Sequence, residues 1–330
     1  MNLDANRFAS ALRSELGARC RSYARGRVHF ESYGDPPVVL FAPLGPVHGN
    51  FFDPAFRSIE AHPEWARRLE KVHTGRRSLP RTGRTWRELD SSMSSDALLM
   101  NVFCTPGVAQ SRAVMDLLGI DRSLLPVFGW KARVPFGNGR LDRTEVDMRW
   151  GELLVEAKLT EAGFQTAPRT VVEAYRDFAL VFDHALLPRA FLPAGREKPP
   201  TEFPEDYSQE EEYFAADQWA PSPVEAPRRE VTEGYRSYQL IRNVLAAHAA
   251  GCGFCVLHDA RRPDLREAWF EVMAAVRDAE MRTRLKVFTW QELAAVLPQD
   301  LNLFLDRKYG IVAPGSCASP VDDGDEGSSA

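Results

Sequence analysis

Hydrophobic and polar residues alternate most regularly over residues 143–160, which read RTEVDMRWGELLVEAKLT. In the first half, apolar residues alternate with charged ones: Val146, Met148 and Trp150 are apolar, and Glu145, Asp147 and Arg149 are charged. The second half is apolar except for Glu156 and Lys158. Alternation with a period of two on both sides of Gly151 and Glu152 predicts a β-hairpin closed by a two-residue turn.

The predicted turn also determines which residues face one another across the hairpin. Counting outward from the turn, Asp147 lies opposite Glu156, and Glu145 lies opposite Lys158. All four charged side chains then share one face. Directly opposed carboxylates destabilise a strand pair, and an unpaired charge inside an apolar strand is costly. The pattern therefore predicts a cation that balances these carboxylates.

A divalent metal ion between Asp147 and Glu156 would remove both costs. Oxygen ligands on a rigid sheet suit Mg²⁺, which binds through one or two carboxylates together with substrate phosphates; Mn²⁺ is the alternative ion. Lys158 beside such a metal can hold a water molecule or a phosphate oxygen, as phosphodiester hydrolysis requires. The competing interpretation is a solvated hairpin face with one salt bridge, between Glu145 and Lys158.

The spacing of these residues resembles the PD-(D/E)xK nuclease superfamily: Asp147, eight further residues, then Glu156 and Lys158 with one residue between them. Val146 stands where the superfamily usually has proline, a departure that is common among its members. Residues 86–297 also resemble a group of uncharacterised bacterial proteins described as restriction endonucleases. The resemblance implies a restriction-endonuclease-like fold and metal-dependent cleavage of nucleic acid.

The resemblance also implies roles for the residues of the hairpin. Asp147 and Glu156 would bind the metal, and Lys158 would orient the water or stabilise charge. Glu145 would be a further ligand or would support one.

Two residues outside the hairpin are further candidates. Asp96 lies in the first turn of a predicted helix before the hairpin, where superfamily members often place an additional metal ligand. An aspartate at that position also interacts favourably with the helix dipole, which explains it without a metal. Gln239 lies on a helix after the lysine, where superfamily members often place a glutamine near the active site. The alternative for Gln239 is an ordinary surface position.

Periodicity along the rest of the chain predicts the remaining elements. The predicted helices cover residues 4–25, 91–104, 109–118, 170–187, 235–250 and 264–280, and the predicted strands 128–134, 254–258 and 285–290. A strand, a helix and a strand in that order imply a parallel crossover. We therefore expect an α/β fold, in which a central mixed β-sheet is flanked by helices and a meander precedes a βαβ unit.

The 330-residue chain has a net charge of −5 that is unevenly distributed. The expected organisation is an N-terminal extension over 1–87, a restriction-endonuclease-like core over 88–310 with an acidic, proline-rich insertion at 190–230, and a disordered acidic tail over 311–330. Residues 201–217 hold seven acids and the last thirteen residues hold four, with no base in either. The rest of the chain therefore carries +6.

Residues 67–87 contain eight lysines and arginines but only one acid, Glu70. Such a stretch can lie along a phosphate backbone, where basic side chains give affinity that is independent of sequence. The candidate nucleic-acid-binding residues are Arg76, Arg77, Arg81 and Arg84. The alternative is a solvated run of surface charge.

The remaining sequence features restrict the other functions. The CxxC pair Cys252 and Cys255 opens an apolar run, which favours buried strand cysteines over a zinc or redox site. No apolar run approaches the length of a membrane span, and the N-terminus lacks the apolar core of a signal peptide. We therefore expect a cytoplasmic protein with no membrane partner.

The function that this sequence predicts best is a Mg²⁺-dependent endonuclease of the PD-(D/E)xK type that acts on DNA. The alternative is a nuclease-like module that binds nucleic acid or protein without cutting. The sequence leaves open the choice between DNA and RNA, the specificity of cutting and the formation of a homodimer.

Overall fold

The computed structural model describes residues 3–73, 78–122, 124–193 and 231–315. Its helices are α1 (Leu3–Ala24), α2 (Asp53–Ala61), α3 (Pro63–Ala66), α4 (Ser95–Phe103), α5 (Arg112–Leu118), α6 (Arg169–Val172), α7 (Phe178–Val181), α8 (Tyr238–Ala250), α9 (Pro263–Ala274), α10 (Ala279–Thr283), α11 (Trp290–Ala294) and α12 (Gln299–Tyr309). Short 3₁₀ turns cover Arg67–Glu70, Glu88–Asp90 and Val108–Gln110.

The described strands follow the same chain order. They are β1 (His29–Glu31), β2 (Val39–Phe41), β3 (Pro43–Leu44), β4 (Val47–His48), β5 (Val127–Lys131), β6 (Val134–Pro135), β7 (Leu141–Asp142), β8 (Glu145–Trp150), β9 (Leu153–Ala157), β10 (Thr166–Pro168), β11 (Arg189–Pro193), β12 (Val231–Arg236), β13 (Gly253–His258) and β14 (Leu285–Thr289).

A five-stranded mixed sheet in the order β14-β13-β9-β8-β5 forms the centre of the fold. Strands β5, β8 and β9 make an antiparallel meander. Strand β13 runs parallel to both β9 and β14, and α9 and α10 connect β13 to β14. The predicted α/β class, with a meander followed by a βαβ unit, is therefore confirmed.

The hairpin that carries the charged residues has the predicted turn. Trp150 pairs with Leu153 across Gly151 and Glu152. Gly151 has a φ of +60°, in the left-handed region that glycine adopts without strain and that tight hairpin turns require.

Apolar side chains cover both faces of the central sheet. On one face, Val155 lies in a cluster with residues of α1, α4, α5, α11 and α12. On the other face, Leu154 lies in a cluster with residues of α8 and α9. Because side chains two residues apart share a face of a strand, Glu156 points to the same side as Leu154, toward α8.

The predicted helix over 170–187 is wrong, because this region contains only the single turns α6 and α7. Its backbone is bonded to other segments instead: the Arg176 N–H donates to the Pro135 carbonyl at 2.9 Å, and Phe182 forms a bridge with Val276. The next predicted helix begins at Tyr238 rather than 235, because the preceding residues belong to β12.

The expected insertion and tail are only partly within the described residues. Strand β11 extends to Pro193, and β12 begins at Val231; both belong to a three-stranded sheet with β10. The insertion between them lies outside the described part of the chain. Ile311 is buried in the core beside α12, and residues beyond 315 lie outside the described part.

The two cysteines of the CxxC pair are free and buried, as the apolar run around them predicts. Burial raises the pKa of the Cys255 thiol to about 12, which opposes the thiolate that redox chemistry uses. Within the described residues, no helix is both long and apolar enough to span a lipid bilayer.

Candidate functional site

The candidate site begins where strands β8 and β9 separate. Their ladder is paired from Trp150 and Leu153 out to Met148 and Val155. The next residue of β8, Asp147, accepts a hydrogen bond from the backbone N–H of Ala157 on its Oδ2 atom, at 2.7 Å. This bond holds the Asp147 carboxylate beside the end of β9.

Glu156 is fully buried next to Asp147 and is held from three directions. Gln239 donates to Glu156 Oε1 at 2.5 Å, and Asn243 donates to Oε2 at 2.8 Å. Lys158 Nζ lies 3.0 Å from Oε1. The two amides are one turn apart on α8, so one face of this helix fixes the orientation of the Glu156 carboxylate.

Lys158 is also fully buried, although it follows the last residue of β9. Its backbone is held by the Leu257 carbonyl at 2.8 Å and by the Trp290 indole at 3.1 Å. Its ammonium forms an ion pair with Glu156 at 3.0 Å. Because an ammonium has three N–H donors, it can still donate to a further acceptor.

The electrostatics of these three residues are strongly coupled. Burial raises the pKa of Asp147 well above its usual range, and the charges of Glu156 and Asp96 raise it further. Burial also raises the pKa of Glu156, although Lys158 opposes this shift. Burial acts to lower the pKa of Lys158, but Glu156 and other nearby carboxylates outweigh it and raise the pKa. The pair of carboxylates thus lacks sufficient positive charge around it.

Glu145 does not lie opposite Lys158, so the predicted register is wrong at this position, and the salt bridge of the competing interpretation is not formed. Glu145 pairs instead with Lys131 of β5, and its carboxylate lies 2.9 Å from that ammonium. It also lies 2.7 Å from Arg68 and 3.2 Å from Lys71. Burial would raise the pKa of Glu145, but Arg68 and Lys71 outweigh it and lower the pKa to about 2.

Asp96 lies in the first turn of α4, as the sequence predicts, and the Ser94 hydroxyl caps this helix by accepting from the Ala97 N–H at 3.1 Å. The Asp96 carboxylate is paired with Arg68 at 2.6 Å. Its charge nevertheless raises the pKa of Asp147, so Asp96 belongs to the same electrostatic cluster.

Of the four arginines proposed to contact nucleic acid, Arg76 and Arg77 lie outside the described residues. The other two, Arg81 and Arg84, contact residues outside this site. The backbone of Arg81 donates to the Tyr33 hydroxyl at 3.4 Å, and the Arg84 side chain lies 3.4 Å from Asp90. The basic stretch instead reaches the candidate site through two other residues, Arg68 and Lys71.

Sequence reasoning missed three residues that the structure places at the site. Asn243 lies four residues after Gln239, a spacing that puts both amides on one helix face and could have identified it. Glu161 accepts from Ser95 at 2.5 Å and from the Leu159 N–H at 2.6 Å, which joins α4 to the end of the hairpin. Arg68 lies far from the hairpin in sequence, and no local signal connects it to this site.

The residues present suit a hard divalent cation. Two neighbouring carboxylates are protein ligands that Mg²⁺ usually takes, together with water and phosphate oxygens. Burial raises the pKa of Asp147 and of Glu156, so each carboxylate is stabilised by a bound cation or proton. Within the described residues, no group of three or more His, Cys, Asp or Glu side chains is arranged to hold a metal.

The mixed five-stranded sheet with its meander and crossover, together with the two carboxylates and the buried lysine at the end of the hairpin, defines a restriction-endonuclease-like α/β protein. The model of the family "Restriction Endonuclease associating with ARP" matches residues 18–310. The chain therefore belongs to this family. No curated protein and no solved structure matches the chain significantly.

Proposed function

We propose that this protein is a metal-dependent endonuclease of the PD-(D/E)xK type that hydrolyses phosphodiester bonds in DNA. The observation that carries the proposal is the placement of two carboxylates, the half-buried Asp147 and the fully buried Glu156, side by side with the fully buried Lys158. Burial of like charges is costly unless they are paired or coordinate a metal. Membership of a restriction endonuclease family supports this assignment.

Asp147 and Glu156 would hold Mg²⁺, or Mn²⁺ in its place. Such an ion, when bound, supplies activation of water and positive charge for the phosphate. The Ala157 N–H fixes one oxygen of Asp147, and the amides of Gln239 and Asn243 fix both oxygens of Glu156. The ligands are therefore oriented before any substrate arrives.

Lys158 would act on the substrate side. Its ammonium is buried and carries a raised pKa, so it stays protonated at neutral pH. Because an ammonium has three N–H donors and Glu156 is its one ion-pair partner among the described residues, it can also donate to a phosphate oxygen or to the attacking water. A fixed positive charge near the reacting phosphate favours the transition state, which carries more negative charge at that position.

An open groove of about 660 Å³ reaches the edge of the site at Arg68 and Glu145, although Asp147, Glu156 and Lys158 do not line it. Its lining combines aromatic side chains with both basic and acidic ones: Trp65, Phe128, Arg67, Arg68, Lys71, Lys131, Glu64, Glu70 and Glu145. Cations of this kind attract phosphates, and aromatic rings pack against sugars or bases.

The test is incubation of the purified protein with supercoiled plasmid, with Mg²⁺, with Mn²⁺ and with EDTA. We expect nicked or linear products only with a divalent ion, and none from Asp147→Asn, Glu156→Gln or Lys158→Met. Glu173→Gln is the matched control, because Glu173 is paired with Arg169 on α6 and touches none of the site residues named here.

The competing function is a module that binds DNA without cutting it. One observation favours it: Glu156 and Asp96 already have cationic partners, in Lys158 and Arg68. An intact plasmid under every metal condition, combined with DNA binding that the three site variants do not change, would support this alternative and reject the nuclease.

A further inference from the structure

Arg68 belongs to the N-terminal extension, and its side chain reaches the edge of the candidate site. It lies in the 3₁₀ turn Arg67–Glu70, and only 11% of its side chain is exposed. One terminal nitrogen is 2.6 Å from Asp96, and the other is 2.7 Å from Glu145. The guanidinium thus joins α4 to β8 through two charged hydrogen bonds, a geometry that suits its planar fork.

A glycine in strand β5 leaves space for this guanidinium. Gly129 of β5 lies across from Asp147, between the pairs Phe128 with Met148 and Trp130 with Val146. A Cβ atom at Gly129 would lie only 2.5 Å from a terminal nitrogen of Arg68, and the φ of Gly129 is +61°. Glycine at this position therefore lets Arg68 lie directly against the strand, beside Asp147.

The position of Arg68 matters because of the charge it offsets. Arg68 is paired with Asp96, and it shares Glu145 with Lys71 and Lys131. Without Arg68, the charge of Asp96 and part of that of Glu145 would add to the negative charge of Asp147 and Glu156, and like charges repel even at the effective dielectric of a protein surface. A phosphate approaching the site would meet that repulsion.

We infer that Arg68 is a positioning residue through which the N-terminal extension completes the candidate site. Its guanidinium holds Asp96 and Glu145 in place and neutralises them, so that a phosphate can approach Asp147 while the metal ligands remain Asp147 and Glu156. The inference rests on the proposed function, and the two make separate predictions.

Arg68→Met should change two affinities in opposite directions. Loss of the cation leaves Asp96 without its ion-pair partner and Glu145 with only Lys71 and Lys131, so Mn²⁺ should bind more tightly, by roughly three- to tenfold. Binding of a fluorescent DNA duplex in EDTA should weaken by a similar factor, because the same carboxylates repel phosphate. Mn²⁺ binding is measured by calorimetry and DNA binding by fluorescence anisotropy.

Two further variants separate electrostatics from folding. Arg169→Met is the matched control, because Arg169 also bridges two glutamates, Glu173 and Glu233, but it does so on the three-stranded sheet. It should leave both affinities unchanged. Adding Asp96→Asn and Glu145→Gln to Arg68→Met removes the uncompensated charge, so both affinities should return toward the wild-type values.

The outcomes are distinct. If Arg68→Met binds Mn²⁺ more tightly and DNA more weakly, and the added neutral substitutions restore both affinities, the role of Arg68 is supported. If Arg68→Met lowers the melting temperature but changes neither affinity, or if the neutral variants do not rescue it, Arg68 only packs the fold and the inference is overturned. If wild-type protein binds no Mn²⁺ at all, the proposed metal-dependent function fails instead.

Discussion

The Asp147 carboxylate accepts the backbone N–H of Ala157 at 2.7 Å, and this bond replaces the next rung of the ladder between β8 and β9. The Asp147 carboxylate on β8 thus accepts the N–H of Ala157 on β9 in place of a backbone carbonyl of β8. Beyond this point β9 remains paired with β13, through the Lys158 N–H and the Leu257 carbonyl, while β8 remains paired with β5. The opening between the two strands is where the charged residues lie.

The first prediction concerns magnesium and thermal stability. Asp147→Asn keeps an oxygen for the Ala157 N–H but removes the charge of one of the two neighbouring carboxylates. In EDTA the variant should be about as stable as wild type or more stable, by roughly 1 kcal/mol, because the repulsion with Glu156 is gone. Mg²⁺ should raise the melting temperature of wild type but not of the variant, since a ligand that binds only the folded state stabilises it.

Asp177→Asn serves as the control for this comparison. Asp177 is paired with Arg176 away from the hairpin, so this variant should respond to Mg²⁺ as wild type does. Equal Mg²⁺ shifts for wild type and Asp147→Asn would contradict a metal site at Asp147.

The second prediction concerns the amide that sequence reasoning missed. Asn243→Ala leaves one oxygen of the buried Glu156 without its donor, which should lower the free energy of unfolding by about 1–3 kcal/mol. When Glu156→Gln is already present, Asn243→Ala should lower the free energy of unfolding by less. Urea unfolding of the four proteins in this double-mutant cycle measures the coupling. Additive effects would show that Asn243 does not support Glu156.

The third prediction concerns the glycine under Arg68. Gly129→Ala and Gly139→Ala both place alanine at a positive φ, +61° and +82°, but only Gly129 has atoms within 4 Å of the added Cβ. Gly139→Ala should therefore cost about 1–2 kcal/mol from backbone strain alone. Gly129→Ala should cost more by denaturant unfolding, and the excess should disappear in the Arg68→Met background. If Gly129→Ala still costs more stability in the Arg68→Met background, the added Cβ clashes with a group other than Arg68.

The hairpin was predictable because its register depends on local signals. The alternation from Glu145 to Trp150 and the glycine at 151 determine which residues pair, and the order of later elements implies the parallel crossover. The position of Glu145 was not predictable, because it depends on the side chain of Asp147 bonding to the backbone. A count of residues outward from a turn assumes that the ladder continues.

Long-range contacts explain the other differences. Residues 170–187 have a helical pattern, but backbone bonds to Pro135 and pairing with Val276 break it into two turns. Arg68 reaches the site because the N-terminal extension folds over β5, which single-sequence periodicity does not describe. Asn243, in contrast, was within reach of sequence reasoning, since its spacing from Gln239 is that of one helical turn.

The fourth prediction concerns the basic stretch. If it contacts DNA, replacing Arg76, Arg77, Arg81 and Arg84 with alanine should weaken binding and reduce the slope of log affinity against log salt. The control is a surface arginine outside the stretch, Arg112, which is paired with Asp116. Anisotropy titrations at several salt concentrations give the slope for the quadruple variant and the slope for the control. An unchanged slope in the quadruple variant would mean that these arginines only solvate the surface.

The last prediction concerns a buried lysine that ties the N-terminal extension to the C-terminal helix. Lys308 of α12 is fully buried, and its ammonium donates to the carbonyl and the side-chain oxygen of Asn50, both at 2.6 Å. It also donates to the Tyr309 hydroxyl at 2.8 Å. Burial lowers the pKa of Lys308 from the usual 10.5 to about 7. No carboxylate is among these partners.

This shift makes stability depend on pH in a defined direction. Between pH 7 and 10.5 the unfolded chain keeps a proton on Lys308 that the folded protein has lost, so stability should rise with pH in that window. One proton limits the slope to about 1.4 kcal/mol per pH unit. Urea unfolding at several pH values between about 7 and 8, where the cysteines and tyrosines of the unfolded chain are still mostly protonated, measures it. Lys308→Met should flatten this slope, whereas Arg112→Met, which removes an exposed cation, should not. A wild-type slope that persists in Lys308→Met would assign the pH dependence to another group.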